Sequence, residues 1–241
     1  MIKSGRNVVL LGCSRGIGLG VLKHLSEESD CKSLIGVVRS QADVERIQML
    51  FPQNGKVKIL RGDVTDPASM SEVATTVTRL GVIPDLLICN AGVLTSPKSF
   101  TEVTASDMRT SFEVNVLGPL NAMKAFLPLM KDVDGAVMVN VSSGWGLWGE
   151  TGQTTYVASK HALEGLMKCA AKEVASDKVS IVTVRPGVVF TEMLGVALGA
   201  METAKEIGVP VDKFAPHFCK QIMSITKADS GNHIDCGYKG E

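Results

Sequence analysis

The chain has 241 residues, 45% hydrophobic and 21% charged, with 25 basic residues balanced by 25 acidic ones. That length holds one substantial core rather than two full domains, and the balanced, unclustered charge argues against a nucleic-acid or anionic-membrane surface. Cysteines 13, 31, 89, 169, 219 and 236 show no C-x-x-C spacing and read as reduced residues of a cytoplasmic protein, and four scattered histidines suggest no metal site. The opening "MIKSGRNVVLLG" has too short an apolar run for a signal peptide or a membrane span.

In chain order, "NVVLL" (7–11) is an apolar strand, and a glycine-rich turn leads from it into an amphipathic helix over 17–28. A second strand (33–38) and helix (42–51) follow, then a third strand (57–60) ended by "RGDVTDP". Asp66 suits an N-cap and Pro67 the first helical position, predicting a helix over 67–80. "DLLICNAG" (85–92) is a fourth strand and its turn. A helical stretch over 105–130 should kink at Gly118-Pro119. Strands at 136–143, 179–187 and 232–235, and helices over 154–176 and 212–225, complete the pattern. Continuous apolar strands between helices mean a parallel sheet covered on both faces, so the expectation is one doubly wound α/β domain of about seven strands.

"GCSRGIG" (12–18) stands between the first strand and the first helix. Glycines there let the backbone approach a pyrophosphate, and the helix N-terminus offers free N–H groups to it. The second strand ends Val38-Arg39-Ser40, where dinucleotide sites often carry an acid for the adenine ribose hydroxyls. Arg15 lies in the glycine loop itself. Two guanidiniums and no acid favour a 2′-phosphate, hence NADP over NAD. "GDV" (62–64) would set Asp63 and Val64 near the adenine.

Further on, "YVASK" (156–160) places Tyr156 and Lys160 one helical turn apart on one face. A cation beside a phenol eases its deprotonation; taken alone, the pair also fits a solvated helix face.

These motifs, together with "NAG" (90–92), Asn115 in "FEVNVLG", "VSS" (141–143) and "RPGVVFT" (185–191), occur in an order that resembles the classical short-chain dehydrogenase/reductase family over about residues 6–236. The resemblance implies a Rossmann-type NADP-binding domain spanning 1–241 and a hydride transfer between cofactor and a carbonyl or alcohol. Tyr156 would be the proton donor or base, and Lys160 would bind nicotinamide-ribose hydroxyls and lower the Tyr156 pKa. Ser143 would hydrogen-bond the substrate oxygen, and Asn115 would hold a water linking Lys160 to solvent. The cofactor would lie along Gly12, Ser14, Arg15, Gly16, Ile17 and Gly18, with Arg39, Ser40, Asp63 and Val64 at its adenosine end. Asn90, Ala91 and Gly92 would pass beneath the adenosine half, and Pro186, Gly187, Val189 and Thr191 would border the nicotinamide. Leu11 and Cys89 depart from the family's Thr and Asn, which puts local loop rigidity in question. The competing expectation is a non-catalytic NADP-binding sensor or scaffold on the same fold.

For the substrate, Leu94, Trp145, Trp148 and Met193 offer apolar walls, and no Arg or Lys stands in "GVLTS" or "GWGLWGE". A neutral, mostly apolar carbonyl compound is expected, although both tryptophans equally fit structural packing. The stretch 191–211, with Gly195, Gly199 and Gly208, suggests a short mobile lid. On 154–176, His161, Glu164, Lys168 and Lys172 form a polar stripe, and apolar residues fill more of the circumference than one packed face requires. A homo-dimer or homo-tetramer is expected.

Overall fold

The computed structural model describes residues 5–238, so the two ends of the expected 1–241 domain lie outside the described residues. Seven strands, β1 (Arg6–Leu11), β2 (Cys31–Val38), β3 (Val57–Arg61), β4 (Leu86–Cys89), β5 (Ala136–Val141), β6 (Val179–Arg185) and β7 (His233–Asp235), form one sheet. Every pairing is parallel, in the order β3-β2-β1-β4-β5-β6-β7. The helices are α1 (Gly16–Glu27), α2 (Gln41–Gln48), α3 (Pro67–Arg79), α4 (Ala105–Phe112), α5 (Gly118–Met130), α6 (Thr154–Glu173), α7 (Glu192–Leu198), α8 (Met201–Ile207) and α9 (Val211–Met223).

Two buried layers explain why the strands read as unbroken apolar runs. Successive strand residues point to opposite faces. Val8 and Leu10 therefore join Leu22 of α1 and Phe214 and Phe218 of α9 on one side. Val9 and Leu11 join Val73 of α3, Phe126 of α5 and Leu163 of α6 on the other. On α9, Phe214, Phe218 and Ile222 recur every fourth residue and are fully buried, with the two rings 5.4 Å apart. Truncating either Phe to Ala should cost about 3–5 kcal/mol.

Most expected elements stand within a few residues of their predicted bounds, and the exceptions have local causes. Asp66 caps α3 as expected, accepting from the Ala68 N–H at 2.9 Å. α2 stops at Gln48 rather than 51, because Phe51 turns inward and precedes Pro52, which disfavours helical backbone before it. α6 ends at Glu173 rather than 176. The irregularity in 105–130 is a π-helical turn over Glu113–Leu117, just before the predicted kink. Pro119 has no N–H to donate back along the helix, and the Gly118 N–H bonds the Glu113 carbonyl five residues earlier. The 191–211 stretch, expected as a short mobile lid, is largely helical. It folds as α7 and α8, with Met201 packed against Gly195 and a parallel bridge joining Val189 to Val209.

Candidate active site

In an open parallel sheet, ligands bind beyond the strand C-terminal ends where the strand order reverses. Here that place lies between β1 and β4, which pair directly. Both following turns converge on it. Gly12 has φ +79° and lies so close to Ala91 that a Cβ would sit 2.5 Å from the Ala91 Cα. A Cβ on Gly18 would collide with the Gly12 carbonyl and approach the Asn90 amide nitrogen at 2.6 Å. Asn90 also ties the two turns together by donating to the Gly12 carbonyl at 2.7 Å. The glycines therefore let the two turns pack backbone against backbone, and α1 begins at Gly16 with no side-chain cap on its N–H groups. Leu11 and Cys89, the two departures, are buried packing residues beside it.

At the adenosine end, Arg39 and Ser40 are exposed at the end of β2. Ser40 caps α2, accepting from the Asp43 N–H at 3.0 Å and donating to its carboxylate at 2.8 Å. Hydrogen bonds from Arg46 and Ser40 hold that carboxyl below the usual range, with Arg15 adding to the effect. Arg46 also donates to the Ser14 carbonyl at 2.9 Å. Two guanidiniums, Arg46 in contact and Arg15 at longer range, thus act on one carboxylate. Arg15 also reaches Glu192 at the start of α7, at 2.9 Å, with both side chains over 70% exposed. Asp63 is turned into its own loop, accepting from the Thr65 N–H and hydroxyl at 2.9 and 2.8 Å, and the Val64 carbonyl accepts from Asn121.

Around α6, the four residues of the expected catalytic set converge. Asn115, fully buried in the π turn, accepts from the Val93 N–H at 2.8 Å. Its amide donates to the Val93 carbonyl and to the Ser159 hydroxyl, both at 2.9 Å. Its side chain thereby joins the turn after β4 to α6. Tyr156 is buried and bonded to the Ser143 side chain. Burial pushes its phenol up to about 12, with the Ser143 bond pulling the other way. The Lys160 ammonium, also buried, donates to the Val141 carbonyl at 2.8 Å and lies 5.5 Å from the Tyr156 ring centroid. Burial pushes it down to about 8, against the Glu164 charge. The expected lowering of the phenol pKa by Lys160 is therefore not met in this geometry. Lys160 points at a carbonyl, and desolvation governs the phenol.

The apolar walls are unequal. Trp145 stands edge-on to Tyr156, whereas Trp148 lies over Gly144 and is 54% exposed. Leu94 and Met193 are half-buried, one after the Asn115-clamped turn and the other on α7. Thr191 caps α7 by accepting from the Leu194 N–H. Pro186 is buried, Gly187 has φ +78°, and Val189 is buried with its bridge to Val209. Gln153, unremarked in the sequence, is buried just before α6 and donates to the Ala197 carbonyl at 2.9 Å. Glu164 overturns the solvated stripe predicted for α6: it is buried, and Arg185 and Thr183 bond its carboxylate at 3.0 Å each. Its helical spacing matched exposed His161, Lys168 and Lys172, and only the distant Arg185 could have signalled otherwise. Among the described residues, no group of three or more His, Cys, Asp or Glu side chains is placed to hold a metal ion, and no helix is long and apolar enough to cross a membrane.

Residues 6–200 match the family model described as short chain dehydrogenase. The chain is 32% identical to an NADPH-dependent pterin aldehyde reductase of Arabidopsis thaliana, over 97% of this chain and 94% of the relative. It is 31% identical to a benzil reductase ((S)-benzoin forming) of Saccharomyces cerevisiae, over 78% of this chain and 73% of the relative. The structure of an NADPH-bound carbonyl reductase from chicken fatty liver superposes with a TM-score of 0.85 at 28% identity, covering 97% of each chain. The site geometry and these likenesses agree: the chain belongs to the short-chain dehydrogenase/reductase family.

Proposed function

We propose that the protein is an NADPH-dependent reductase that converts a neutral, mostly apolar aldehyde or ketone to an alcohol, with Tyr156 as proton donor. The observation that carries this reading is the buried phenol of Tyr156, bonded to Ser143 and one turn from Lys160. Burial pushes the phenol up to about 12, so it carries its proton at neutral pH, as a donor to a carbonyl oxygen must, and the same group would take the proton back when an alcohol is oxidised.

The residues present fit the cofactor. Gly12 and Gly18 let the two turns close on each other beside the uncapped N-terminus of α1, and Arg15 and Arg46 both act on Asp43 where a 2′-phosphate would sit, with Arg39 exposed at the end of β2. The named cofactors of the Arabidopsis relative and the chicken structure support NADPH. When bound, NADPH supplies the hydride. Lys160 would turn from the Val141 carbonyl to the ribose hydroxyls, bringing its charge to bear on Tyr156. Ser143 orients the phenol and offers a hydroxyl to the oxygen as negative charge develops on it. Asn115 holds the Val93 turn and α6 in register, so Leu94 and Tyr156 keep their relative places.

Trp145, Leu94 and Met193 support an apolar substrate, in keeping with the carbonyl substrates in the relatives' names. The deciding assay follows NADPH consumption with neutral aromatic carbonyls and with small keto acids. Preference for the aromatic compounds is expected; binding of NADPH without turnover of any carbonyl would favour a non-catalytic sensor. Half-buried Val157, Ala162, Leu166 and Ala170 on α6 support a homo-oligomer, to be checked by light scattering. Six free cysteines fit a cytoplasmic location.

A further inference from the structure

A charged cluster lies behind the catalytic helix and is not used by the mechanism above. Glu164 follows Lys160 by one turn of α6, and both carboxylate oxygens are engaged, Oε1 by Arg185 Nε and Oε2 by the Thr183 hydroxyl. Arg185 is 3% exposed and ends β6, directly before Pro186 and Gly187. Its Nη1 has no hydrogen-bond partner and lies 3.6 Å from a carboxylate oxygen of Asp235, the last residue of β7. The loop that carries Ser143 rests on the same turn: a Cβ on Gly146 would meet the Glu164 Cγ at 3.3 Å and the Lys160 carbonyl at 3.4 Å. The pair thus touches the ends of β6 and β7, the Ser143 loop and the turn of Lys160. Burying an ion pair gains little stability over apolar packing of the same shape, because desolvation offsets the attraction.

We propose that Glu164, anchored by Arg185 and Thr183, is a positioning residue of the reaction: it fixes the Lys160 turn against the end of β6 and keeps the buried Lys160 ammonium charged. Burial pushes that ammonium down to about 8 and the Glu164 charge opposes the fall. Burial pushes the Glu164 carboxyl up, but hydrogen bonds led by that of Arg185 hold it below its usual range. Glu164 is therefore an anion wherever the protein works. The charged and titratable groups around it are Lys160 and Tyr156 on its own helix, Arg185 on β6 and, beyond Arg185, Asp235 on β7.

The inference rests on the roles proposed for Tyr156 and Lys160, and the test is the pH profile of kcat/KM for carbonyl reduction. In Glu164→Gln, Lys160 should lose its proton at lower pH, whereas in the charge-neutral double variant Glu164→Gln with Arg185→Gln the lost Arg185 charge works the other way and the shift should be smaller. The alkaline limb of Glu164→Gln should then move acidward by about one pH unit, the size of one lost charge interaction at protein dielectric. Glu164→Asp keeps the charge and should hold the limb near its parent position. A folded Glu164→Gln variant with NADPH binding intact and the alkaline limb unmoved would overturn the proposal. So would a neutral double variant that cannot fold, since the pair would then serve stability alone. A parent enzyme inactive towards every carbonyl fails the functional reading instead, whereas an active parent with the Glu164→Gln limb unmoved fails only this one.

Discussion

The indole of Trp145 meets the ring of Tyr156 edge to face, with centroids 6.0 Å apart and planes at 82°. An aromatic substrate whose carbonyl reaches the Tyr156 hydroxyl therefore has the Trp145 ring beside it. Such a pair contributes about 0.5–1.5 kcal/mol beyond buried area. Trp145→Ala should raise KM for aromatic carbonyls up to about tenfold by that measure. Trp148, exposed over Gly144, should matter less when replaced by alanine. Steady-state kinetics on both variants checks the order, and equal, negligible effects would assign both rings to packing.

Tyr156→Phe keeps the ring packed on Trp145 and removes the transferable proton. Turnover should drop at least ~10²-fold, the lower end for general acid catalysis. NADPH binding, followed by fluorescence titration, should persist. Full activity in this variant would refute the proton-donor role.

Cofactor preference should follow the guanidiniums beyond β2. Arg39→Asp adds a second carboxylate where Asp43 already stands, and should shift kcat/KM from NADPH toward NADH. Arg46→Ala should weaken NADPH use too, because it releases both Asp43 and the Ser14 carbonyl. Comparing both cofactors in each variant checks this, and a parent that uses NADH equally well would contradict it.

The thiols predict an alkaline weakness. Burial pushes Cys13, Cys89, Cys219 and Cys236 up to about 12 from 9.0. The folded protein then retains protons that the unfolded chain gives up, so stability is fully present below pH 9 and declines as pH rises toward 12. Lys160, pushed down to about 8 from 10.5, acts in the opposite sense, but one ammonium is outweighed by four thiols. Calorimetry across this range should show Tm falling above pH 9. Among the six free cysteines only Cys169 is exposed, so a thiol reagent should find one fast-reacting group in the native protein.

The fold and the grouping of the candidate residues on α6 were legible because they are written locally. Alternating apolar runs mark the strands, and the spacing of Tyr156 and Lys160 survives folding unchanged on α6. What escaped depends on partners distant in the chain. Glu164 looks like a surface residue until β6 brings Arg185 beneath it, 21 positions away. Arg46 sits 32 positions from the Ser14 carbonyl it binds, and Gln153 meets Ala197 across 44. Arg15 was placed in the right loop, but the acid that holds it, Glu192, lies 177 residues on. Periodicity cannot report such pairings, since it records which face a residue occupies and not what arrives opposite it.

The two ends of α7 are held by different physics. At its start, Glu192 grips Arg15 through an ion pair open to water, which dissolved salt screens. Near its end, the Ala197 carbonyl is held by the buried amide of Gln153, a neutral bond that salt leaves alone. Raising the ionic strength therefore weakens the Arg15–Glu192 contact and leaves the Gln153–Ala197 bond unchanged.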